Sequence, residues 1–208
     1  MTQPPDLTRE TPAPGVVVWQ PRKGYRYGVE VYALAAFALT PEVRTAVDLG
    51  CGSGVIGLLL ASRGVRVDAV DRDARWVELV RKNAEESALP VTVHHGDARV
   101  WDGPRVDVVV TNPPWFPPDE PVSPDSWKAG SRAMFHGGPA EFVATGLRLA
   151  PRVCVVTRAE READLRGRWI ARRARLGARV VLLEVRHGSG PTLEETLDER
   201  AIYGVFGR

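Results

Sequence analysis

Hydrophobic and polar positions follow two different periods along this chain, and the changes between them predict a series of strands and helices. Short runs rich in β-branched residues, such as residues 46–50 and 106–111, indicate strands that are buried on both faces. Longer stretches with helical spacing follow most of these runs. We expect a short strand within residues 16–44 and further strands over 46–50, 66–70, 91–95, 106–111, 152–157, 179–186 and 200–206. We expect helices over 31–39, 54–63, 73–87, 139–149 and 160–176.

The alternation of strands and helices predicts the fold class. Helices that connect buried parallel strands imply right-handed crossovers, and therefore a doubly wound, mostly parallel α/β sheet of seven strands. The final two strands are joined through residues 188–191, Gly-Ser-Gly-Pro, and this link is too short for a crossover helix. We therefore expect the last strand to be antiparallel, in a hairpin at the edge of the sheet.

The ends and the composition suggest one folded domain. Residues 1–15 contain four prolines and few apolar side chains, which is typical of a disordered tail. Residues 16–208 are expected to form a single domain, because 208 residues with 44% apolar content suffice for one core. The net charge of +2 does not by itself demand a nucleic-acid partner. We also expect a cytoplasmic protein, because no apolar signal region or stretch of membrane-spanning length is present.

A glycine-rich loop follows the strand at residues 46–50 and leads into a helical stretch. Its glycines, Gly50, Gly52 and Gly54, allow a tight turn and let a ligand approach the backbone at a helix amino terminus. This pattern alone fits dinucleotide binders equally well. Asp48 at the strand end favours another ligand, because its carboxylate would repel a pyrophosphate but could receive an ammonium or sulfonium group.

A carboxylate also follows each of the next two strands. Asp71 is placed to accept hydrogen bonds from ribose hydroxyls, and Asp97 is placed to meet an adenine edge. Each aspartate taken alone could be a helix N-cap or a turn residue. One carboxylate after each of three successive strands is the pattern that S-adenosylmethionine (SAM) would need.

The tetrapeptide Asn112-Pro113-Pro114-Trp115 closes the strand at residues 106–111. Its prolines stop the strand at the carboxyl end, where open α/β sheets bind their ligands. The Asn112 side chain and the Pro113 main chain offer two fixed carbonyl acceptors, and Trp115 adds an aromatic face, which suits an –NH2 group on a planar substrate. The alternative is a proline-rich turn in which asparagine acts as a turn former.

Together these motifs resemble the SAM-dependent amino-methyltransferases, whose fold is the Rossmann-like class I methyltransferase fold. Residues 19–35, together with the run that begins at Phe116, resemble bacterial tRNA adenine-N6 methyltransferases. Two positions differ from that group: Glu30 stands where it usually has aspartate, and Trp115 where tyrosine is commoner.

The resemblance implies a set of site residues. Those expected to bind SAM are Tyr27, Asp48, Gly50, Gly52, Gly54, Asp71, Asp97 and Asn112. The catalytic residues are expected to be Asn112, Pro113 and Trp115, and the substrate-binding residues Pro114, Trp115, Phe116 and Arg132. No metal site is expected, since His94 and His95 have no partners at ligand spacing.

The resemblance also implies methyl transfer to N6 of an adenine in tRNA or another structured RNA. One alternative, with the same chemistry, is a protein glutamine amide or a small amine as the acceptor. Another is a catalytically silent SAM-binding partner subunit, against which the intact Asn112-Pro113-Pro114 sequence argues. A nicotinamide oxidoreductase is disfavoured by Asp48 and by the expected hairpin.

Two further segments carry residues that suit RNA. The loop after Trp115 contains Trp127, Lys128, Arg132, Phe135 and His136, which could stack on a base and hold phosphate, or could pin the loop to the core. Residues 158–186 contain nine arginines against four acidic residues, and we place several of them on the helix expected over 160–176. Such a charged face either contacts RNA or only keeps the surface solvated.

Overall fold

The computed structural model describes residues 6–23, 26–114 and 138–208. These ranges contain a two-stranded hairpin and an eight-stranded sheet. The strands are β1 (Leu7–Ala13), β2 (Val16–Pro21), β3 (Thr45–Leu49), β4 (Arg66–Asp71), β5 (Val91–His95), β6 (Val108–Thr111), β7 (Arg152–Arg158), β8 (Trp169–Leu176), β9 (Val180–Arg186) and β10 (Leu193–Thr196). The helices are α1 (Val29–Ala38), α2 (Val55–Ala61), α3 (Ala74–Ser87), α4 (Pro139–Leu149) and α5 (Glu199–Val205), with a 3₁₀ helix over Ala159–Leu165.

The larger sheet has the order β10-β8-β9-β7-β6-β3-β4-β5. All neighbouring pairs are parallel except those made by β9, which runs antiparallel to both β7 and β8. The predicted mostly parallel α/β sheet with one reversed strand is therefore confirmed, although it has eight strands instead of seven. Strands β4 and β5 are added on one side of β3, and the chain then returns to add β6 on the other side of β3. Such a switch point opens a crevice at the carboxyl ends of the strands.

Apolar layers cover both faces of the central strands. On one face α1 and α2 pack against β3 and β6, with Leu34, Leu58 and Val110 fully buried. On the other face α4 packs against β6 and β7, with Val109 and Val153 fully buried. These layers fix the central strand ends, and with them the turns that follow.

The prediction of a disordered tail over residues 1–15 is wrong for residues 7–13. These residues form β1, which pairs with β2 from Leu7 opposite Pro21 to Ala13 opposite Val16, with an irregularity in the register. Gly15 turns the chain between the two strands at a φ of +75°. The strand exists because of a pairing partner, and its own sequence has too little apolar periodicity to reveal it. Residues 1–5 lie outside the described ranges, and the single domain over 16–208 stays a prediction.

The predicted helix over 160–176 is also wrong. A 3₁₀ helix occupies Ala159–Leu165, Gly167 turns the chain at a φ of +81°, and the arginine-rich stretch that follows is the strand β8. Arg172 of this strand pairs with Glu184 of β9 and Glu195 of β10. Because these partners are remote in sequence, the local pattern alone favoured a helix.

The reversed strand is not the last one, so the prediction of a final hairpin is wrong in its position. The hairpin is formed by β8 and β9, which join at Gly177 with a φ of +64°. After residues 188–191 the chain adds β10 in parallel to β8. Residues 200–206, predicted as a strand, fall largely in α5, whose N-cap Asp198 accepts a hydrogen bond from the Arg200 amide. None of the helices in the described ranges has the length and apolar character needed to cross a membrane.

Candidate functional site

A cavity of about 790 Å³ lies at the carboxyl ends of the central strands. Its volume is within the usual range for cofactor and small-ligand sites. At the end of β4 and in the turns after β3, β4, β5 and β6, the residues that line it include Gly50, Cys51, Gly52, Ser53, Asp71, Arg72, Asp73, Asp97, Ala98, Asn112, Pro113 and Pro114. The structure thus brings most of the predicted site residues to one place.

The glycine-rich loop has the backbone geometry that its sequence predicts. Gly50, Gly52 and Gly54 have φ values of +73°, +53° and +78°, which favour glycine. A Cβ on Gly50 would lie 3.0 Å from Cε1 of Phe142, and one on Gly54 would lie 2.6 Å from Cγ1 of Val80. Gly50 and Gly52 line the cavity, whereas Gly54 is not among its lining residues and allows α2 to approach α3.

Asp71 lines the cavity at the end of β4 with a relative exposure of 9%. Its Oδ2 accepts a hydrogen bond from the Gly52 amide at 3.0 Å, and its Oδ1 accepts one from the Asp73 amide at 2.9 Å. Burial raises the pKa of this carboxyl group, and the amide donors act in the opposite direction. Each carboxylate oxygen can accept more than one hydrogen bond, so Asp71 can bind a hydroxyl pair while it holds the glycine loop.

Asp97 also lines the cavity, after β5, but its carboxylate is held by a neighbouring side chain. Its Oδ1 accepts hydrogen bonds from the Arg99 amide at 3.0 Å and from Arg99 Nε at 2.9 Å. The hydrogen bonds from the Arg99 side chain lower the pKa of Asp97 to about 2. Asp97 is therefore a fixed anion at the cavity wall.

Asp48 is not among the residues that line the cavity. Its side chain is fully buried, and its Oδ2 accepts a hydrogen bond from the Gly57 amide of α2 at 3.0 Å. Its Oδ1 has no hydrogen-bond partner among the described residues. Burial raises the pKa of Asp48 to about 7. The structure thus places Asp48 behind the glycine loop, where it anchors α2.

Asn112, Pro113 and Pro114 line the cavity at the end of β6. Strands β3 and β6 pair with Leu49 opposite Thr111, and the Thr111 hydroxyl donates a hydrogen bond to the Leu49 carbonyl at 2.8 Å. Paired strands lie about 4.8 Å apart, so the residues that follow them, Gly50 and Asn112, are neighbours. The predicted site residues Trp115, Phe116 and Arg132 lie outside the described ranges, as do the other residues singled out in the loop after Trp115.

Tyr27 is not among the lining residues, although it was predicted to contact the cofactor. It is half-buried, and its ring packs edge-on against Tyr32 with the ring centroids 6.2 Å apart. Burial and a hydrogen bond to Glu10 raise the pKa of Tyr27. Its neighbours Arg26 and Gly28 line the cavity in its place.

Sequence reasoning missed the apolar walls of the cavity. Ile56, Trp76 and Phe142 line it and are almost completely buried, at 5%, 3% and 6% exposure. Each lies in the first turn of a helix that begins at the cavity edge. Bulky apolar residues in such first turns were the available signal.

Three further lining residues come from the other side of β6, namely Arg158, Leu176 and Val180. Leu176 could not be found from the sequence, because residues 160–176 were predicted to be a helix. Without that strand between them, nothing in the sequence linked Arg158 and Val180 to the site. In the described part of the chain, no three His, Cys, Asp or Glu side chains are grouped as metal ligands.

Comparison with known proteins gives this site a context. The sequence model of a family described as "Methyltransferase small domain" matches residues 33–142, which is just over half of the chain. A curated tRNA1(Val) (adenine(37)-N6)-methyltransferase from Salmonella enteritidis PT4 is 33% identical over 105 residues. That alignment covers 47% of this chain and 43% of the relative, so the match spans less than half of the relative's length.

Solved structures with a similar fold include a tRNA methyltransferase and a protein named TrmN. The Pyrococcus abyssi tRNA (uracil-54, C5)-methyltransferase, in complex with S-adenosyl-L-homocysteine, superposes with a TM-score of 0.62 at 17% identity, over 86% of this chain and 44% of that chain. TrmN from Thermus thermophilus superposes with a TM-score of 0.52 at 26% identity, over 75% of this chain and 47% of that chain. The eight-stranded sheet described above is thus a methyltransferase fold.

Proposed function

Because this chain belongs to the methyltransferase small domain family, we propose that it is a SAM-dependent N-methyltransferase whose acceptor is the exocyclic N6 of an adenine in tRNA. Membership of the family confirms the resemblance to methyltransferases that the motifs carried. The observation that carries the proposal is the position of Asn112 and Pro113, beside the glycine loop in the same cavity. A transferred group and its acceptor nitrogen could therefore meet at the end of β6.

The residues of the cavity fit SAM. The open backbone at Gly50 and Gly52 suits the aminoacyl part of the cofactor, and the Asp71 carboxylate suits two ribose hydroxyls. The apolar side chains of Ile56, Trp76 and Phe142 suit the faces of an adenine ring and the thioether carbons. When bound, SAM supplies a methyl group on a sulfonium that leaves as a neutral thioether. Asp48 would support SAM binding only indirectly, because it lies behind the glycine loop and holds α2.

The acceptor would be positioned by Asn112 and Pro113. An amine conjugated to a ring has a delocalised lone pair and is a poor nucleophile. If the Asn112 side-chain carbonyl and the Pro113 main-chain carbonyl accept its two hydrogens, the nitrogen is drawn toward tetrahedral geometry and its lone pair points along the transfer direction. The rate then comes from alignment and electrostatics. A strong general base is not required, because the nitrogen becomes acidic as the new bond forms.

The choice of tRNA adenine rests on sequence similarity. The relative that is 33% identical carries that activity in its name, and residues 19–35 resemble the same group. Trp115 would supply a stacking face for a flipped purine. A tRNA substrate would place the protein in the cytoplasm. The same pair of carbonyl acceptors could also hold a protein glutamine amide, so the acceptor has to be tested directly.

The test of the substrate is tritium transfer from labelled SAM to a panel of unmodified tRNA transcripts. We expect label in at least one transcript, released as N6-methyladenosine on digestion. Binding to that transcript should weaken steeply with salt, because phosphate contacts release counterions. Label in a protein or small molecule, with none in any transcript, would replace the tRNA proposal with the glutamine or amine alternative. SAM binding without any transfer would favour a silent partner subunit.

The test of the mechanism is the variant Asn112→Ala. We expect turnover to fall below detection, because the acceptor amine loses one of its two carbonyl partners, while SAM affinity stays within a few-fold of wild type. Trp115→Ala should lower the rate more than it lowers RNA affinity, and Arg132→Ala should weaken RNA binding. Titration calorimetry with SAM and single-turnover kinetics separate these effects. Near wild-type turnover of Asn112→Ala would remove the basis of the mechanism.

A further inference from the structure

The cavity extends beyond the part that the proposed cofactor would use. The glycine loop and Asp71, which are assigned to SAM, lie at the ends of β3 and β4, on one side of β6. Arg158, Leu176 and Val180 line the same cavity from the opposite side of β6. Asn112 lies between the two parts, so the second part is on the acceptor side of the site.

The three residues of this second part form one row across neighbouring strands. Arg158 at the end of β7 is the register partner of Val180 at the start of β9, and Val180 is the register partner of Leu176 at the end of β8. With strands about 4.8 Å apart, the row begins one strand from β6 and ends about 14 Å from it. This is enough space for a nucleotide next to the one held at Asn112.

The chemistry of the row is an apolar surface with a guanidinium at its inner end. The Arg158 side chain is 30% exposed, and its Nη1 lies 3.3 Å from Oε1 of Glu160, whose side chain is 62% exposed. Ion pairs this exposed contribute little, so an incoming anion can compete with Glu160 for the guanidinium. A second carboxylate, that of Glu30, also lines the cavity. Its Oε1 accepts a hydrogen bond from the Gly28 amide at 3.0 Å, which holds it next to its own helix α1.

We propose that Arg158 binds a backbone phosphate adjacent to the target nucleotide, while Leu176 and Val180 contact the sugar or base attached to it. This subsite rests on the proposed function, because it requires a polynucleotide acceptor. A guanidinium matches two phosphate oxygens at once, and it keeps its charge at every physiological pH. The carboxylate of Glu160 competes with the phosphate and weakens its binding.

The test compares Arg158→Gln with Glu160→Gln, using a tRNA transcript that the wild-type enzyme methylates. Both variants break the same ion pair, but only the first removes the phosphate ligand. We expect Arg158→Gln to raise KM for the transcript about three- to tenfold and to reduce the slope of log affinity against log salt by about one. Glu160→Gln should leave KM unchanged or lower it. The Kd for SAM should be the same in both variants.

Two further variants complete the experiment. Arg158→Lys should recover part of the affinity, because it keeps the charge and loses the two-pronged geometry. Arg63→Gln, which removes an exposed arginine next to α2 at the opposite edge of the sheet, should behave as wild type. The subsite is overturned if Arg158→Gln matches wild type, or if Arg158→Gln and Glu160→Gln raise KM alike, because the ion pair would then be structural. A wild-type protein that binds SAM and labels no RNA would overturn the proposed function itself.

Discussion

The strands on either side of β6 hold their buried carboxylates in different ways. On the side formed by β3, β4 and β5, Asp48 and Asp71 accept hydrogen bonds from backbone amides, those of Gly57, Gly52 and Asp73. On the side formed by β7, β8 and β9, a buried carboxylate is instead surrounded by guanidinium groups. Glu184 is fully buried and forms ion pairs with Arg152, Arg172 and Arg186.

The pKa shifts follow from this difference. Burial raises the pKa of Asp48 and Asp71, because the amide donors only partly offset the loss of hydration. Burial acts on Glu184 in the same direction, but Arg152, Arg186 and Arg172 outweigh it and lower its pKa. The first side therefore keeps a carboxylate that a ligand at the cavity can satisfy further. On the second side the charge of the buried Glu184 carboxylate is neutralised within the protein.

The largest expected effect is the loss of stability in Glu184→Gln. This change leaves the guanidinium of Arg152, which is 7% exposed, without its counter-charge. Breaking a buried ion pair in this way costs about 3–5 kcal/mol. The free energy of unfolding from urea titration measures the effect.

The matched control is Glu78→Gln, which breaks the exposed pair of Glu78 with Arg81 and should cost less than about 0.5 kcal/mol. Equal costs for the two variants would show that the guanidinium network does not hold this side together.

The next effect is on the pH dependence of stability, through Asp48. Its pKa is 3.8 as a free side chain and about 7 in the fold, so the folded state holds a proton that the unfolded chain releases. Stability from this group is therefore complete below pH 4, is lost as the pH rises from 4 to 7, and changes no further above 7. Between pH 5 and 8 the loss is about 2–3 kcal/mol.

The variant Asp48→Asn should abolish this loss, since its amide does not titrate and its oxygen can still accept from the Gly57 amide. Urea titrations of both proteins at pH 5 and pH 8 give the comparison. Other titrating groups, including Glu184, cancel in the difference between wild type and variant. The same change of stability with pH in both proteins would mean that Asp48 is ionised throughout.

The same contrast explains which parts of the fold could be predicted from the sequence. The strand β5 and the helix α4 have the predicted bounds, and β3, β4 and α3 differ by one residue at one or both ends. In this region Asp48 and Asp71 are held by amides that are close in sequence or lie in the turn after the adjacent parallel strand. The glycine loop, Asp71 and Asn112 could therefore be placed at one edge from the pattern alone.

On the other side, β7 and β9 also lie within one residue of their predicted bounds. The strands β8 and β10 could not be predicted, because their interactions join residues that are far apart in sequence. The alanines and arginines of β8 are compatible with a helix, and only the partners Glu184 and Glu195 on neighbouring strands fix them as a strand. The hairpin of β1 and β2 is held in a similar way. The amide side chain of Asn83 in α3 donates to the Trp19 carbonyl at 3.1 Å and to the Ser53 carbonyl at 3.0 Å. No local pattern signals such links.

The smallest expected effect is on SAM affinity, and it tests the roles of Asp71 and Asp97 in the cofactor site. Asp71 ends β4 and Asp97 follows the neighbouring strand β5, and of the two only Asp71 has no guanidinium partner among the described residues. Its carboxylate accepts hydrogen bonds from the Gly52 and Asp73 amides. Asp71→Ala should weaken SAM binding by about 1.5–3 kcal/mol, because the ribose hydroxyls lose a charged acceptor. Asp97→Ala should cost less than about 1 kcal/mol, because Arg99 already occupies its carboxylate. Titration calorimetry with SAM measures both. Unchanged affinity in Asp71→Ala would show that the ribose is held elsewhere, and binding of NADH in place of SAM would contradict the cofactor assignment itself.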